Sequence, residues 1–256
     1  MVEPALAVAN LSVKLANRTL LSNINFSAMP GTITGIIGPN GAGKSTLIKA
    51  ILGLLPAIGK ISVVGMDSTK LSILQRARHI SYVPQFSLLT APIAVQTVVA
   101  QGRFMHRSGL GSLNKEDKIA ITDAIKAADI ENLQERRFSE LSYGEKRRVL
   151  IARALATNAQ IILLDEPTAA LDLAHALTLL TLLKKMAQAG RCIITVLHSL
   201  DEILTLADHT LIIANGKLAI NDTTKAVFSS PRLSDIFGVE LIPGGGLGYR
   251  LYNEAK

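Results

Sequence analysis

The sequence contains no tryptophan, a single cysteine and few aromatic residues of any kind. Aromatic side chains make up 4% of the 256 residues, too few for the stacking surface that binds single-stranded nucleic acid. The lone Cys192 excludes an internal disulfide and is typical of a reducing compartment. Because an apolar run follows it at 193–196, we expect a buried structural thiol.

The sequence also lacks a long uncharged apolar run. A membrane-spanning helix needs about 18 or more such residues, and the most apolar stretches end at Asp165 and Lys184. The first residues have neither the basic start nor the long apolar centre of a signal peptide. We therefore expect a chain that neither crosses a membrane by itself nor is exported.

Hydrophobic residues are abundant, at 48% of the chain. This fraction supports a sizeable core, in one large domain or in a domain with a subdomain. The formal net charge is +7, from 27 basic and 20 acidic side chains. A positive surface permits an anionic partner such as a nucleotide, lipid headgroups or nucleic acid.

The hydrophobic pattern changes twice along the chain. Over residues 1–85 short apolar runs alternate with turn residues, which predicts strands with one helix among them. Residues 86–158 have helical periodicity, clearest at 115–129 and 145–156. Apolar strands then alternate with helices, the order that builds a parallel sheet. The strands are predicted at 5–13, 25–28, 32–37, 61–64, 80–83, 161–164, 193–197 and 210–214, and the other helices at 44–54, 174–189 and 200–207.

This pattern predicts a core, an insert and a tail. One domain is expected over residues 1–228, with a core built from 1–85 and 159–228 and an inserted helical subdomain at 86–158. The extension 229–256 contains three consecutive glycines at 244–246. We interpret it as a small hairpin or a loose extension.

A glycine-rich loop lies between a predicted strand and a predicted helix. It fits the pattern G-x-x-x-x-G-K-[ST], in which glycines let successive backbone N–H groups approach phosphate oxygens. Lys44 would place its charge on the terminal phosphates, and the Ser45 hydroxyl would ligate Mg²⁺. The alternative is a glycine-rich strand-to-helix turn without a ligand. The loop residues are Gly38, Pro39, Asn40, Gly41, Ala42, Gly43, Lys44, Ser45 and Thr46.

Two carboxylates, Asp165 and Glu166, follow the apolar run 161–164. Ligands of open α/β sheets bind at the carboxyl ends of the strands. Asp165 is therefore a candidate ligand of Mg²⁺, and Glu166 a candidate for polarising an attacking water. Two acids after a strand can instead cap a helix, but the phosphate loop in the same chain favours the catalytic role.

The stretch LSYGE, residues 141–145, precedes a long helical segment. Ser142 and Glu145 have the spacing of a capping box, in which each side chain satisfies a free backbone donor at a helix N-terminus. This explanation is sufficient for the stretch by itself. A nucleotide-binding role needs support from the rest of the chain.

A phosphate loop and an acidic strand end would also suit a small GTPase or a nucleotide kinase. The order of the remaining motifs separates these classes. Gln85 follows the strand at 80–83, LSYGE precedes the acidic pair, the segment 169–172 follows Glu166, and His198 closes the next strand. This order closely resembles that of the ATP-binding cassette (ABC) ATPases, over nearly the whole chain to about Phe228.

The resemblance implies a fold, a ligand and a dimer. The fold class is α/β, the P-loop NTPase fold of ABC ATPases, with a mostly parallel core sheet, an N-terminal antiparallel β part and an inserted α-helical subdomain. ATP with Mg²⁺ would lie between two subunits, where the phosphate loop of one faces the signature stretch of the other. The signature residues at that interface would be Ser142, Tyr143, Gly144 and Glu145.

By the same resemblance, three further residues take part in phosphoryl transfer to water. Gln85 would help to hold Mg²⁺ and couple the metal site to the helical insert. Asp172 would cross the dimer interface, and His198 would contact the γ-phosphate and the water. Taken alone, these residues could be a loop cap, a helix cap and a strand-end histidine.

Two positions depart from the family's pattern. Leu15 stands where an aromatic residue usually stacks on adenine, so the base would meet an aliphatic surface and base selectivity would be weak. Tyr143 stands where a glycine is usual. It is compatible with ATP binding if its ring points away from the phosphate, because the backbone N–H is the ligand. These departures motivate one alternative, a regulatory cassette that binds ATP without cycling.

ABC ATPases drive transporters or act as soluble switches in translation and DNA repair. A single cassette without a coiled-coil insert favours the transporter motor. We expect a peripheral location at the cytoplasmic face of the cell membrane and no nucleic-acid partner. The expected partners are a second copy of the chain, integral membrane permease subunits docked near residues 86–107 and, indirectly, a substrate-binding protein.

The cargo class depends on shorter similarities. Four segments look similar to importer ATPases for iron-siderophore, haem or cobalamin. The zinc or manganese importer group is the alternative, because it shares the Gly102-Arg103 element and the run at 49–54. The four segments are residues 101–103, 171–175, 197–202 and 236–239.

Overall fold

The computed structural model describes residues 2–85, 92–106, 112–169, 171–242 and 248–251. Within these ranges, β-strands make up two larger sheets and a C-terminal pair. The strands are β1 Leu6–Leu15, β2 Arg18–Ala28, β3 Ile33–Ile37, β4 Ile58–Val63, β5 Met66–Asp67, β6 Ile80–Val83, β7 Ile161–Asp165, β8 Cys192–Val196, β9 His209–Ala214, β10 Lys217–Thr223, β11 Val239–Ile242 and β12 Gly248–Leu251.

Helices connect many of the strands, and several lie in the described parts of the long segment between β6 and β7. The α-helices are α1 Lys44–Leu52, α2 Ile73–His79, α3 Val95–Ala100, α4 Lys115–Ala127, α5 Tyr143–Ala156, α6 Leu173–Gln188, α7 Leu200–Leu206, α8 Thr224–Phe228 and α9 Pro231–Phe237. Short 3₁₀ helices occur at Ser68–Lys70, Gln101–His106, Glu131–Leu133 and Phe138–Glu140.

The main sheet has the strand order β10-β9-β3-β8-β7-β6. Its inner pairings are parallel, and β10 pairs antiparallel with β9. Every residue of β3, β7 and β8 is buried, which is typical of parallel strands covered on both faces. Because β3, β8, β7 and β6 pair in parallel, their carboxyl ends lie at one edge of the sheet.

The second sheet is antiparallel, with the order β2-β1-β4-β5. Its inward side chains pack with α1 and one face of the main sheet in one buried cluster, which includes Ile161 and Leu163. The other face of the main sheet packs against the helices between β6 and β7 and against α6, in a cluster that includes Ile162 and Leu164. Successive residues of β7 thus belong to opposite cores, as the alternation of side chains along a strand requires.

The predicted fold class is confirmed: an antiparallel β part, a mostly parallel sheet and helices between β6 and β7 are all present. The division at 1–85, 86–158, 159–228 and 229–256 stays a prediction. In the tail, β11 and β12 pair antiparallel, while the glycines at 244–246 lie outside the described residues.

Several predicted elements were incomplete. The prediction of one helix in the first 85 residues is wrong, because α2 is a second. The helix α2 buries none of its residues, so no buried apolar face marks it, but the Ser72–Gln75 capping box at its start is a local signal that the prediction missed. The strand predicted at 25–28 begins at Arg18. The strand β10, whose side chains are partly buried or exposed, was missed although Asn215 and Gly216 form the turn of its hairpin with β9.

Candidate nucleotide site

The glycine-rich loop turns the chain from β3 into α1. Gly38 and Gly43 have φ values of 152° and 106°, which side chains with a Cβ rarely adopt. A Cβ at Gly38 would lie 2.0 Å from the Ile213 carbonyl oxygen, and one at Gly43 would lie 2.6 Å from Leu21 Cδ2. The close packing of the loop on β9 and β2 therefore requires glycine at both positions.

The first turn of α1 is left open to an anion. No side chain of the described residues caps this helix, and its first turn contains no acidic residue. Its free N–H groups and the helix dipole therefore favour a negatively charged ligand. The loop has the backbone arrangement that the sequence pattern predicted, while phosphate binding itself stays a prediction.

Lys44, the first residue of α1, is buried against its own loop. Its Nζ donates to the carbonyl oxygens of Gly38 at 2.7 Å and Pro39 at 3.1 Å. Burial lowers the pKa of Lys44, and the charges of Glu166 and Asp165 act in the opposite direction. The ammonium group is thus held at the loop by acceptors that a phosphate could replace.

Asp165 lies next to the loop at the end of β7. Its carboxylate accepts a hydrogen bond of 3.2 Å from the Ser45 hydroxyl. Burial raises the pKa of Asp165, and the Ser45 hydrogen bond partly offsets that effect. The two predicted metal ligands of this pair are therefore in contact, and their oxygen atoms are of the type that Mg²⁺ prefers.

Glu166 occupies the next position, where the chain leaves the sheet. Its φ is 49°, in the left-handed region that is strained for a residue with a side chain. Its N–H donates to the Val196 carbonyl at 3.1 Å. This turn directs the carboxylate toward the ends of the two neighbouring strands.

Gln85 and His198 meet at the Glu166 carboxylate. Gln85 Nε2 donates to Oε2 at 2.5 Å, and His198 Nε2 lies 2.5 Å from Oε1. Three predicted site residues from the ends of β6, β7 and β8 are thus brought together. The carboxylate is mostly buried, whereas the imidazole of His198 is half exposed.

The signature stretch forms the start of α5, as the capping box predicted. Ser142 Oγ accepts from the Glu145 N–H at 3.3 Å, and Glu145 Oε2 accepts from the Ser142 N–H at 2.8 Å. The hydrogen bond from the Ser142 backbone lowers the pKa of Glu145.

The side chain of Tyr143 is partly exposed and its hydroxyl donates to the Gln85 carbonyl at 3.3 Å. A Cβ at Gly144 would be in ordinary contact with Leu171.

Asp172 and Leu15 lie at the surface. Asp172 caps α6, because Oδ1 accepts from the His175 N–H at 2.9 Å and Oδ2 lies 2.7 Å from His175 Nδ1. The hydrogen bond with the His175 backbone lowers the pKa of Asp172. Leu15, the last residue of β1, is 53% exposed. The helix-cap interpretation of Asp172 is confirmed, and the interface and adenine contacts stay predictions.

Sequence reasoning missed Arg147, which is 2% exposed in the second turn of α5. Its guanidinium donates to backbone carbonyls that include those of Gln85 and Glu166. One signal was available: Arg147 shares a helix face with the buried Leu150 and Ile151. An arginine on a helix face that otherwise carries core residues is rare unless its charge is paired, so it indicates a residue with specific partners.

Comparison with known proteins gives the family. A family model described as ABC transporter matches residues 21–169, a range that contains the glycine loop, Gln85, LSYGE and the acidic pair. The chain belongs to the ABC transporter ATP-binding family. As a member of it, the chain is an ATPase whose hydrolysis of ATP is coupled to transport.

Relatives of this ABC ATPase cover most of its length. It is 35% identical to the hemin import ATP-binding protein HmuV of Pseudomonas entomophila (strain L48), over 93% of this chain and 94% of that protein. It is 36% identical to the manganese transport system ATP-binding protein MntB of Halalkalibacterium halodurans, over 84% of this chain and 85% of that protein.

A solved structure resembles the whole ABC ATPase. It is an inward-facing conformation of a putative metal-chelate type ABC transporter, with a TM-score of 0.81, 28% identity and coverage of 97% of this chain and 96% of that one. Across the described ranges of our structure, no helix is both long and apolar enough to span a membrane.

Proposed function

We propose that this ABC ATPase is the motor subunit of an importer and that ATP is hydrolysed between two copies arranged head to tail. The observation that carries the proposal is the contact of the Glu166 carboxylate with both Gln85 and His198. These groups lie at the sheet edge where Lys44 and the Asp165–Ser45 pair also lie. Ligands of open α/β sheets bind at this edge.

Each group at the edge has a role in this proposal. Lys44 exchanges the Gly38 and Pro39 carbonyls for phosphate oxygens of ATP. Glu166 polarises the attacking water, because a carboxylate within hydrogen-bond reach of a water is placed to accept its proton. His198 and Gln85 orient that carboxylate, and His198 also contacts the γ-phosphate.

The oxygen atoms of Ser45, Asp165 and Gln85 would hold Mg²⁺. Hard oxygen donors suit this ion. The Ser45 hydroxyl and the Asp165 carboxylate are in hydrogen-bond contact, so two of these oxygen atoms are already adjacent. When bound, Mg²⁺ supplies charge neutralisation at the phosphates.

The start of α5 would bind the γ-phosphate of ATP held by the partner copy. The capping box leaves other N–H groups of the first turn free for an anion. The side chain of Tyr143 fits this binding mode, because its hydroxyl is hydrogen-bonded to the Gln85 carbonyl of the same chain and the phosphate ligand is the backbone N–H. Asp172, on the exposed start of α6, would cross the same interface.

A groove beside the helical insert would receive the permease. It has a volume of about 360 Å³ and lies between the end of α1, α2 and the 3₁₀ helix Gln101–His106. Leu54 and Ile73 on its rim are 64% and 87% exposed, and exposed apolar side chains clustered at a groove mark interaction sites. The groove contains part of the predicted segment 86–107, of which 86–91 and 107 lie outside the described residues. Docking there would hold the ATPase at the cytoplasmic face of the membrane.

The cargo we propose is an iron chelate, haem or cobalamin. The hemin import relative and the metal-chelate type structure support this class through their names. A manganese or zinc importer is the second candidate, supported by the manganese transport relative at comparable identity.

The test is the Glu166→Gln variant in the presence of ATP. Removing the proton acceptor while keeping the shape should stop turnover and leave an ATP-bound dimer, measured by size-exclusion chromatography with light scattering. Undiminished turnover would contradict the proposed role of Glu166. Copurification with a permease, and uptake of hemin or manganese by the reconstituted complex, would separate the two cargo classes. Copurification with ribosomes or DNA instead would favour a soluble switch protein.

A further inference from the structure

Arg147 is a buried cation whose neighbours are backbone carbonyls. It lies on α5, one turn after Tyr143, and only 2% of it is exposed. A buried charge is costly unless every donor is satisfied. The five N–H groups of a guanidinium can be satisfied by the five contacts that Arg147 makes. Its acceptors are the carbonyl oxygens of Pro84, Gln85, Asp165, Glu166 and Pro167.

The contacts divide between two strand ends. On the side of β7, Nη2 donates to Asp165 at 2.8 Å and Glu166 at 2.6 Å, and Nε donates to Pro167 at 3.1 Å. On the side of β6, Nη1 donates to Gln85 at 3.1 Å and also to Pro84. Because the chain leaves the sheet at both points, these carbonyls need partners outside the ladder. One side chain supplies them for both strands.

The backbone held by Arg147 carries the side chains of Gln85 and Glu166, which contact each other at the Glu166 carboxylate. Glu166 has the strained φ of 49°, and strained residues persist where their surroundings fix them. Its N–H is held by the Val196 carbonyl and its own carbonyl by Arg147. Both ends of the residue that aims the carboxylate are therefore fixed.

We propose that Arg147 is a positioning residue for ATP hydrolysis, which clamps the backbone of Gln85 and Glu166 so that their side chains meet as the structure shows. The inference rests on the proposed function, in which Glu166 polarises the water. Arg147 lies on α5, whose start is the proposed contact with the partner's ATP. Through its hydrogen bond to the Glu166 carbonyl, it connects that helix to the residue that polarises the water in the same chain. Tyr143 adds one partly exposed hydrogen bond of 3.3 Å to Gln85, a smaller contribution to the clamp.

The test compares Arg147→Lys and Arg147→Gln with Arg148→Gln as the matched control. Arg148 is the next residue of α5, and its Nη1 donates to the Asp129 carbonyl and carboxylate instead of the strand ends. We expect the Gln variant to lower kcat by about tenfold or more, since small displacements of a catalytic group have large effects. The KM for ATP should stay within about twofold, because the phosphate loop is unchanged. The Lys variant, with fewer donors, should give a smaller loss.

Circular dichroism and the thermal midpoint of each variant show whether it is folded. If Arg147→Gln does not fold, the Arg147→Lys variant carries the same comparison. An unchanged kcat in a folded Arg147 variant would overturn the proposal. So would an equal loss in Arg148→Gln, or a large rise in KM at unchanged kcat.

A double variant tests whether Arg147 acts through Glu166. Residues that act as a unit give non-additive losses, so Arg147→Gln should lower the residual rate of Glu166→Gln by no more than about twofold. A multiplicative loss would show that Arg147 acts elsewhere and would overturn the proposal. Full turnover of Glu166→Gln alone would contradict the proposed function and the positioning role together, whereas loss there with unchanged turnover in Arg147→Gln would contradict only the positioning role.

Discussion

The Nε2 atom of His198 lies 2.5 Å from Oε1 of Glu166, across the paired strands β7 and β8. The other carboxylate oxygen accepts from Gln85 at the end of β6. The carboxylate is therefore oriented by neighbours on both sides. A catalytic base whose side chain is oriented by a further group is a recurring arrangement at sites of proton transfer.

Replacing His198 with alanine should lower kcat by about a hundredfold, the lower range for loss of a positioned group in proton transfer. The KM for ATP should change little, because Lys44 and the glycine loop remain. Phosphate release under steady-state conditions measures both constants. His209→Ala is the control, since His209 is exposed at the start of β9. An equal loss in the two variants would contradict a specific role for His198.

Replacing Gly38 with alanine should abolish ATP binding and destabilise the fold by about 3 kcal/mol, from a clash together with backbone strain. The added Cβ would lie 2.0 Å from the Ile213 carbonyl. Gly190→Ala is the matched control, because Gly190 also has a positive φ of 93° but faces open space. It should lose only about 1 kcal/mol and retain ATP binding. Urea unfolding and fluorescence titration with a nucleotide analogue measure the two effects.

Replacing Arg103 with methionine should destabilise the protein by about 3 to 5 kcal/mol, because it leaves Asp117 buried without its partner. Arg103 Nε donates to Asp117 Oδ1 at 2.8 Å, and both side chains are at least nine-tenths buried. Arg137→Met, which removes an exposed pair with Glu140, is the control and should cost less than about 1 kcal/mol. Equal destabilisation in urea would contradict the assignment of the buried pair.

The same ion pair predicts a pH dependence. The hydrogen bond from Arg103 lowers the pKa of Asp117 below its ordinary value. A group whose folded pKa is lowered stabilises the protein above its unfolded pKa, and that contribution is lost as pH falls through the folded pKa. The difference in unfolding free energy between the parent and Arg103→Met should therefore be constant near neutral pH and shrink below about pH 4.

Replacing Tyr143 with glycine should leave the fold intact and change the ATPase rate only modestly. The Tyr143 hydroxyl donates one hydrogen bond to the Gln85 carbonyl, which contributes about 1 kcal/mol. Glycine also has a lower helix propensity than tyrosine, which costs about 0.5 kcal/mol in the first turn of α5. The thermal midpoint and steady-state ATPase rate check this, and Tyr143→Phe isolates the hydrogen bond. A collapse of ATP-driven dimerisation would contradict the direction assigned to the ring. A normal rate in the assembled transporter would exclude a regulatory cassette without turnover.

The parts of the site that the sequence predicted well are local. The capping box of Ser142 and Glu145 depends on residues three apart, and the glycine loop depends on a strand, a turn and a helix that follow one another. Such features are determined by backbone conformation over a few residues. The apolar strand before Asp165 was likewise evident, because a strand covered on both faces is a continuous apolar run.

The elements that were missed lack a buried apolar face, although a cap or turn signal marks each of them. The helix α2 buries none of its residues, and β10 is an edge strand with partly exposed side chains. The available signals were the Ser72–Gln75 capping box before α2 and the Asn215-Gly216 turn between β9 and β10. The strand β10 pairs antiparallel with the preceding strand β9, and α2 contacts the following strand β6 and the 3₁₀ helix Gln101–His106.

The sequence by itself determined the family motifs, their order and the identity of the groups that could bind phosphate. Only the tertiary structure decided that Gln85 and His198 both contact the Glu166 carboxylate, because they are 81 and 32 residues from Glu166 along the chain. The same holds for Arg147, whose sequence neighbourhood is that of a charged helix start. Parallel pairing brings the ends of β6 and β7 together, and a single buried guanidinium can then satisfy the carbonyls of both.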